Sequence, residues 1–293
     1  MPTNANTDLL TRLLELYPIK VIKDYFNIKG TFAKISESII AGYTSGVIFK
    51  FATENSNFTR QHVHIFNLRP KFTAKTLNLT DFPYKLINSA YVNGEFIVDC
   101  LPLVKFDVMA VPPYEEASIK FHLPVKIRIL NNHVIVQMTM LEKNLSRYFS
   151  EDGVRKKVVN SERSVSEDDI IQELSDFLNN RHMTISRCDI HKGIKKMLTD
   201  DVIDLSYVKD KKARSTDTIT MDEDFTVKET YPDAFEKIMK NPLIKSLLIY
   251  KIKDDRLCKQ FTVEADSGKI AISSFQENIT QIENLTNEII GNN

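Results

Sequence analysis

Between Val47 and Glu142 the apolar residues return at every second position, and this period constrains the fold more than any other feature of the chain. The runs VIFKFAT, HVHIFNL, EFIVDCLPLVKFDVMAV, ASIKFHLPVKIRIL and HVIVQMTML are rich in β-branched and aromatic residues, which suit a pleated surface. The spacing predicts an antiparallel sheet. Its clearest pair is VKIRIL and HVIVQM, joined by Asn131 and Asn132, residues able to take the positive φ angles of a tight hairpin. Val125, Ile127 and Ile129 then form the apolar face, and Lys126 and Arg128 point to a face open to solvent or to a partner.

On either side the period changes. From Thr7 to Tyr43 apolar residues recur at helical spacing (Leu9, Leu10, Leu13, Leu14, Leu16; Val21, Ile22, Tyr25; Ile35, Ile39, Ile40), which predicts a small helical unit. The polar, charged stretch SEDGVRKKVVNSERSVSEDD reads as a linker. After it come a helix, DDIIQELSDFLNNR, a strand, MTIS, a helix, DIHKGIKKML, and a hairpin, VIDLSYVKDKKARSTDTITM. Then follow a helix, YPDAFEKIMKNPLIKSL, interrupted at Pro242, a three-strand meander (LLIYKIK, QFTVEA, KIAISSF), and a closing helix from Glu277 to Ile290. The expected class is α+β: residues 1–150 as helical unit plus antiparallel sheet domain, 151–166 as linker, and 167–293 as an α+β domain.

Lysine plus arginine equals aspartate plus glutamate at 39 each, so no net field draws the molecule toward nucleic acid or membrane, and any such binding must come from a local patch. Hydrophobic residues at 42% and charged residues at 27% belong to a chain that folds. Cys100, Cys188 and Cys258 are odd in number and form no CxxC pair, which argues against a disulfide framework and for a reducing compartment. No stretch has the basic start of a secretion signal or the roughly 20 apolar residues of a membrane span. The expected location is cytoplasmic, with no membrane partner. Abundant lysine, isoleucine and asparagine hint at an AT-rich genome of bacterial, phage or parasite type.

The segment YPIKVIKDYFNIKGTFAKISESII, residues 17–40, places Val21, Ile22, Tyr25, Phe26 and Ile28 in a first helix, Gly30 and Thr31 in a connector, and Ile35 and Ile39 in a second helix. It resembles the helix-extension-helix of SAP-type DNA-binding modules, departing from them at Phe32, where that family usually has a basic residue. The resemblance implies phosphate contact near the second helix's start, where backbone N–H groups favour an anion, with Lys20, Lys23, Lys29 and Lys34 assisting. Residues 167–222 resemble a winged helix with one helix too few between MTIS and VIDL. Lys192, Lys195 and Lys196 would lie on the recognition helix and Lys209, Lys211, Lys212 and Arg214 on the wing, each releasing a counterion on meeting a phosphate. The plainer alternative in both places is a solvated basic surface on an ordinary domain.

Catalytic patterns are sparse. His62 and His64 share a face of a predicted strand, as in some zinc enzymes, yet no third ligand stands out among His122, His133 and Asp107, and no metal or other cofactor is expected. Cys188 and His191, with His182 nearby, could form a thiolate–imidazole pair at a helix start. Phosphate-loop and dinucleotide fingerprints are absent, and Asp99, Asp107, Glu116 and Lys120 lack the spacing of a metal nuclease. Glu115–Glu116 and Asp200–Asp201 fall in predicted turns. The leading expectation is a non-enzymatic nucleic-acid-associated or regulatory protein, with double-stranded DNA and another protein or a second copy as partners, of a style that suits a bacterial or phage conflict system. The alternatives are a protein–protein adaptor or inhibitor and an enzyme of unfamiliar pattern.

Overall fold

The computed structural model describes residues 5–111, 115–141, 144–148, 150–151, 154–155, 157–211, 216–220, 227–250 and 256–293. Four helices come first, α1 (Ala5–Leu14), α2 (Ile19–Phe26), α3 (Phe32–Gly42) and α4 (Ser45–Glu54), followed by strands β1 (Gln61–Arg69), β2 (Lys85–Val92), β3 (Glu95–Leu101), β4 (Leu103–Val111), β5 (Glu115–His122), β6 (Val125–Ile129) and β7 (His133–Thr139). Next are β8 (Ser150–Glu151), β9 (Val154–Arg155), β10 (Lys157–Arg163), α5 (Glu167–Asn179), β11 (Thr184–Arg187), α6 (His191–Thr199), β12 (Ile203–Lys211) and β13 (Thr216–Thr220). The chain closes with α7 (Val227–Thr230), α8 (Pro232–Lys240), β14 (Leu243–Tyr250), β15 (Gln260–Glu264), β16 (Lys269–Ile272) and α9 (Gln281–Asn292). The fold is α+β with antiparallel pairing, as its two periods predict.

The chain forms two compact units, and neither is a continuous segment. One holds residues 1–56, 75–126 and 138–182; the other holds 57–74, 127–137 and 183–293. The division differs from the expected 1–150 and 167–293. The stretch read as a linker instead contributes β10, which pairs antiparallel with β4. Alternating Val158 and Lys157 give it enough strand character to extend a sheet, which local polarity concealed.

In the first unit α1 to α4 close on Leu13, Leu14, Ile22, Ile35, Ile39, Ile48 and Phe51, all buried. Phe51 lies 4.9 to 5.0 Å, ring to ring, from Tyr17, Tyr25 and Phe26. VIFKFAT, read as a strand, is part of helix α4, because Ile48, Phe49, Phe51 and Ala52 are all buried when the run coils. So short an apolar run satisfies either period, and the helical core decides. A three-stranded sheet, β10-β4-β5, lies against α1, where the Arg12 guanidinium donates to the Lys120 carbonyl at 2.8 Å and sits 5.6 Å over the Phe121 ring. Glu116 lies on β5 of that sheet, not in a turn. The hairpin β2–β3 turns at Asn93 and Gly94, both at positive φ. Ser166 caps α5 reciprocally with Asp169: its hydroxyl accepts from the Asp169 amide at 3.1 Å, and the Asp169 carboxylate accepts from the Ser166 amide at 2.7 Å.

The second unit carries a sheet in the order β13-β12-β14-β15-β16-β1-β7-β6, with β11 also pairing β1. The predicted meander is its centre, β14-β15-β16, and LIKSL begins β14 instead of extending α8 past Pro242, which cannot continue the helix. One sheet face is buried under α6, α8 and α9: Val63, Val208, Leu248, Phe261, Val263 and Ile270 meet Ile194, Met197, Ile238, Ile282, Leu285 and Ile289. Arg128, expected on an open face, is 2% exposed and donates to Thr286 Oγ1 at 2.9 Å and Asn287 Oδ1 at 2.8 Å of α9; Lys126 is buried too. The guanidinium tolerates burial because α9 supplies acceptors. The Asn131–Asn132 turn closes through a Leu130 to His133 backbone bond of 2.8 Å without positive φ at either asparagine. Gly268, at φ 67°, ends the β15–β16 turn where a Cβ would lie 2.5 Å from the Ile65 carbonyl oxygen and 2.6 Å from that of Cys188, so only glycine fits.

In the first unit the His122 ring meets Phe49 edge-on at 4.9 Å, and the Lys85 ammonium lies 3.9 Å over the same phenyl. Burial, helped by the Lys85 charge, holds the His122 pKa down at about 4, against an ordinary value of about 6.5. The unfolded chain takes up this proton as pH falls through about 6.5 and the folded chain does not, so stability is lost from there to about 4. Urea midpoints are expected to fall across that window, and to fall less in His122→Phe, whose ring keeps the contact with Phe49. An equal fall in both proteins would show that His122 does not carry the effect.

Candidate nucleic-acid interface

Of the seven cationic positions expected on α6 and the wing, the five among the described residues do not act alike, because local structure sorts them. Helix α6 is anchored at its start by Asp189, whose carboxylate accepts from the His191 amide at 2.9 Å and lies 2.6 Å from His191 Nδ1, while His191 Nε2 is 2.8 Å from the Leu243 carbonyl oxygen. Partial burial opposes the Asp189 charge, but these bonds and the nearby Lys195 hold its carboxyl below the usual range. Cys188 is buried, and desolvation pushes its thiol up, away from a thiolate. A thiolate–imidazole pair is therefore not formed: the imidazole is engaged by Asp189 and Leu243, and the sulfur lies 3.8 Å from the Asn293 amide nitrogen.

Lys195 faces inward. Its ammonium donates to the Met239 carbonyl at 2.8 Å and the Asn241 carbonyl at 2.6 Å, closing the C-terminal end of α8, where a cation is favoured. Burial lowers its pKa, partly offset by Asp189. Lys196 pairs with Asp200 one turn on, at 2.7 Å. Lys192 is exposed and, with Thr199 and Asn292, borders an open cleft of about 740 Å³ between α6 and the end of α9. The helices are close enough to make that cleft because Gly193 has no side chain: a Cβ there would lie 2.2 Å from the Ile289 carbonyl oxygen. Within 167–222, α5 belongs to the other unit, β11 pairs β1, and α6 packs on α9.

The hairpin β12–β13 is present, and the sheet it joins contains a cationic row that the motifs did not identify. Lys209 of β12 stands opposite Lys245 of β14 and Thr218 of β13; the Lys245 ammonium is 4.0 Å from Glu264 of β15; Glu264 stands opposite Lys269 of β16. The next residues along these strands, Val208, Ser246, Val263 and Ile270, are buried in the core, so alternation sends Lys209, Lys245, Glu264 and Lys269 to the opposite face. That face is open: Lys245 is exposed, and Lys209 and Lys269 are partly so. One step along on the same side is a second row, Tyr207, Leu247, Thr262 and Ala271, all partly exposed. Lys211 ends β12 opposite Thr216. Lys212 and Arg214 lie outside the described residues.

In the first unit the connector between α2 and α3 begins at Asn27, which ends α2 in the left-handed region, passes Gly30 at φ 138°, and reaches Thr31, which precedes α3. Ile22, Phe26, Ile35 and Ile39 are buried, while Lys20, Lys29 and Lys34 are exposed and Lys23 is partly so. The Thr31 side chain makes no capping bond. His62 and His64 lie on β1 opposite Ala271 and Lys269, and His64 is buried and stacked on Phe66 at 6.3 Å. No group of three His, Cys, Asp or Glu side chains among the described residues is placed to hold a metal ion, and no helix among them is long and apolar enough to cross a membrane.

Lys245 and Lys269 could have been found in the sequence. In LIKSLLIY the burial of Ser246 and Leu248 against the exposure of Lys245 and the partial exposure of Leu247 follows strand alternation, but LIKSL reads as a helix end, where that period is invisible. Comparisons with family models, with curated proteins and with solved structures find no match to this chain.

The two α6 lysines differ in a way that can be measured. Lys195→Ala leaves two α8 carbonyls without their cation and is expected to lower stability by about 1 kcal/mol, read as a shift in urea midpoint, whereas Lys192→Ala should leave the midpoint unchanged. A silent Lys195→Ala would show that the α8 contact contributes nothing.

Proposed function

We propose that this chain is a non-enzymatic nucleic-acid-associated protein that meets its ligand on the open face of the β12-β14-β15-β16 sheet. The observation that carries the reading is the row Lys209, Lys245 and Lys269, three ammonium groups on one face with the carboxylate of Glu264 among them. In a chain whose charges cancel overall, that concentration of one sign on one face supports phosphate binding. Lys195 donates to the Met239 and Asn241 carbonyls and Lys196 pairs with Asp200, as Lys245 does with Glu264. Lys192, Lys29 and Lys34 are exposed and Lys23 partly so, the last three on the other unit.

Each lysine that neutralises a phosphate releases condensed counterions, so affinity should fall steeply between about 50 and 200 mM salt. Binding to a fluorescent oligonucleotide is expected to be lost in a Lys209→Ala, Lys245→Ala, Lys269→Ala triple variant and kept in a Lys23→Ala, Lys29→Ala, Lys34→Ala variant. The reverse result would move the interface to the helical pair, and no binding at low salt would remove the reading altogether.

A protein–protein adaptor is the second reading, favoured by β2. This strand ends its sheet and leaves Leu86, Tyr91 and Val92 at 40%, 41% and 45% exposure, and an unpaired edge with apolar side chains is a template for another strand. A second copy pairing there would give concentration-dependent sedimentation that Tyr91→Lys abolishes; a monomer at every concentration counts against self-pairing.

A further inference from the structure

We infer that the sheet face selects single-stranded over double-stranded nucleic acid, with Tyr207 as the residue on which a base stacks; this rests on the nucleic-acid reading above. The argument begins with where the lysines are. Lys245, Lys269 and the intervening Glu264 lie on β14, β16 and β15, each of which has a strand on both sides. With strands about 4.8 Å apart, the row from Lys209 to Lys269 spans roughly 14 Å across a continuous surface. A duplex is read by something narrow enough to enter a groove about 12 Å wide, such as a helix or a two-stranded ribbon. Strands interior to a sheet cannot do that. A flexible single strand can lie flat on the surface, its phosphates reaching the lysines in turn.

The neighbouring row supplies the other half of such a site. Tyr207 and Leu247 stand opposite each other on β12 and β14, and the row continues with the small side chains Thr262 and Ala271. A phenol ring and an isobutyl group beside short neighbours form a raised apolar platform next to the cationic row. Tyr207 and Lys209 are two residues apart on one strand and share a face, so a base over the ring leaves its phosphate beside the ammonium. Stacking of unpaired bases on aromatic rings beside a basic track is how sequence-tolerant single-strand binding works. In a duplex both faces of each base are already stacked, and the ring has nothing to receive it.

The chain contains no tryptophan, so Tyr207→Trp installs a unique fluorophore at the platform. The probes are a single-stranded oligouridylate and an oligodeoxythymidylate of about 12 nucleotides, and a duplex of the same length. The single strands are expected to bind more tightly than the duplex and to quench Tyr207→Trp emission; Tyr207→Ala should lose about tenfold in single-strand affinity while Tyr207→Phe keeps it. Unfolding midpoints of the variants equal to wild type confirm that lost affinity is not lost fold. Duplex binding as tight as single-strand binding, with Tyr207→Ala silent, overturns the inference and leaves nucleic-acid binding standing. Absence of binding to all three probes, with the Lys209, Lys245 and Lys269 variant indistinguishable from wild type, overturns both.

Discussion

Where α6 passes α9 the two backbones are too close for any side chain, and Gly193 permits the contact with the Ile289 carbonyl. That approach governs the second unit. It lets both helices lower Ile194, Met197, Leu198, Ile282, Leu285 and Ile289 onto the same side of the sheet, where burial of such side chains is worth about 1.5 to 3 kcal/mol each. Once that side is filled by helices, the remaining polar strand residues are left to the other. Gly268 likewise lets the β15–β16 turn approach the carbonyls of Ile65 and Cys188. The open face is a consequence of a two-layer unit whose helices all lie on one side.

Lysines that look equivalent in the sequence divide into three physical kinds. Lys195 is structural, its charge committed to the end of α8. Lys196 and Lys228 are ion-paired, with Asp200 one turn on and with Asp201 27 residues away, and such solvated pairs contribute little to stability. Lys209, Lys245 and Lys269 come from three separate strands and meet only because antiparallel register sets them side by side. A basic run along the chain therefore says less about binding here than the register of the sheet does.

Helices and strands with strong periods were legible from the residues alone. The α1–α3 core positions, the connector with Gly30, α5, α6, the β12–β13 hairpin and the β14-β15-β16 meander all follow from local spacing and turn chemistry, whereas the Ser166 cap of α5 lay hidden in the stretch read as a linker. VIFKFAT was ambiguous because an apolar run of seven residues fits a buried helix or a strand, and the choice belonged to the aromatic cluster around Phe51. β10 was hidden because a strand with much of its length exposed can be polar at most positions.

What the sequence determined by itself was the α+β class, the places where the chain coils or extends, and the need for any charged ligand to meet a local patch, since these depend on neighbouring residues and on composition. What the tertiary structure alone decided was the discontinuous division into units, the burial of Arg128 against α9, the diversion of Lys195 to α8, and the assembly of Lys209, Lys245 and Lys269 on one face. Those depend on which distant strands become neighbours. Pairing of that kind is set by the shared core beneath the sheet, and no local period records it.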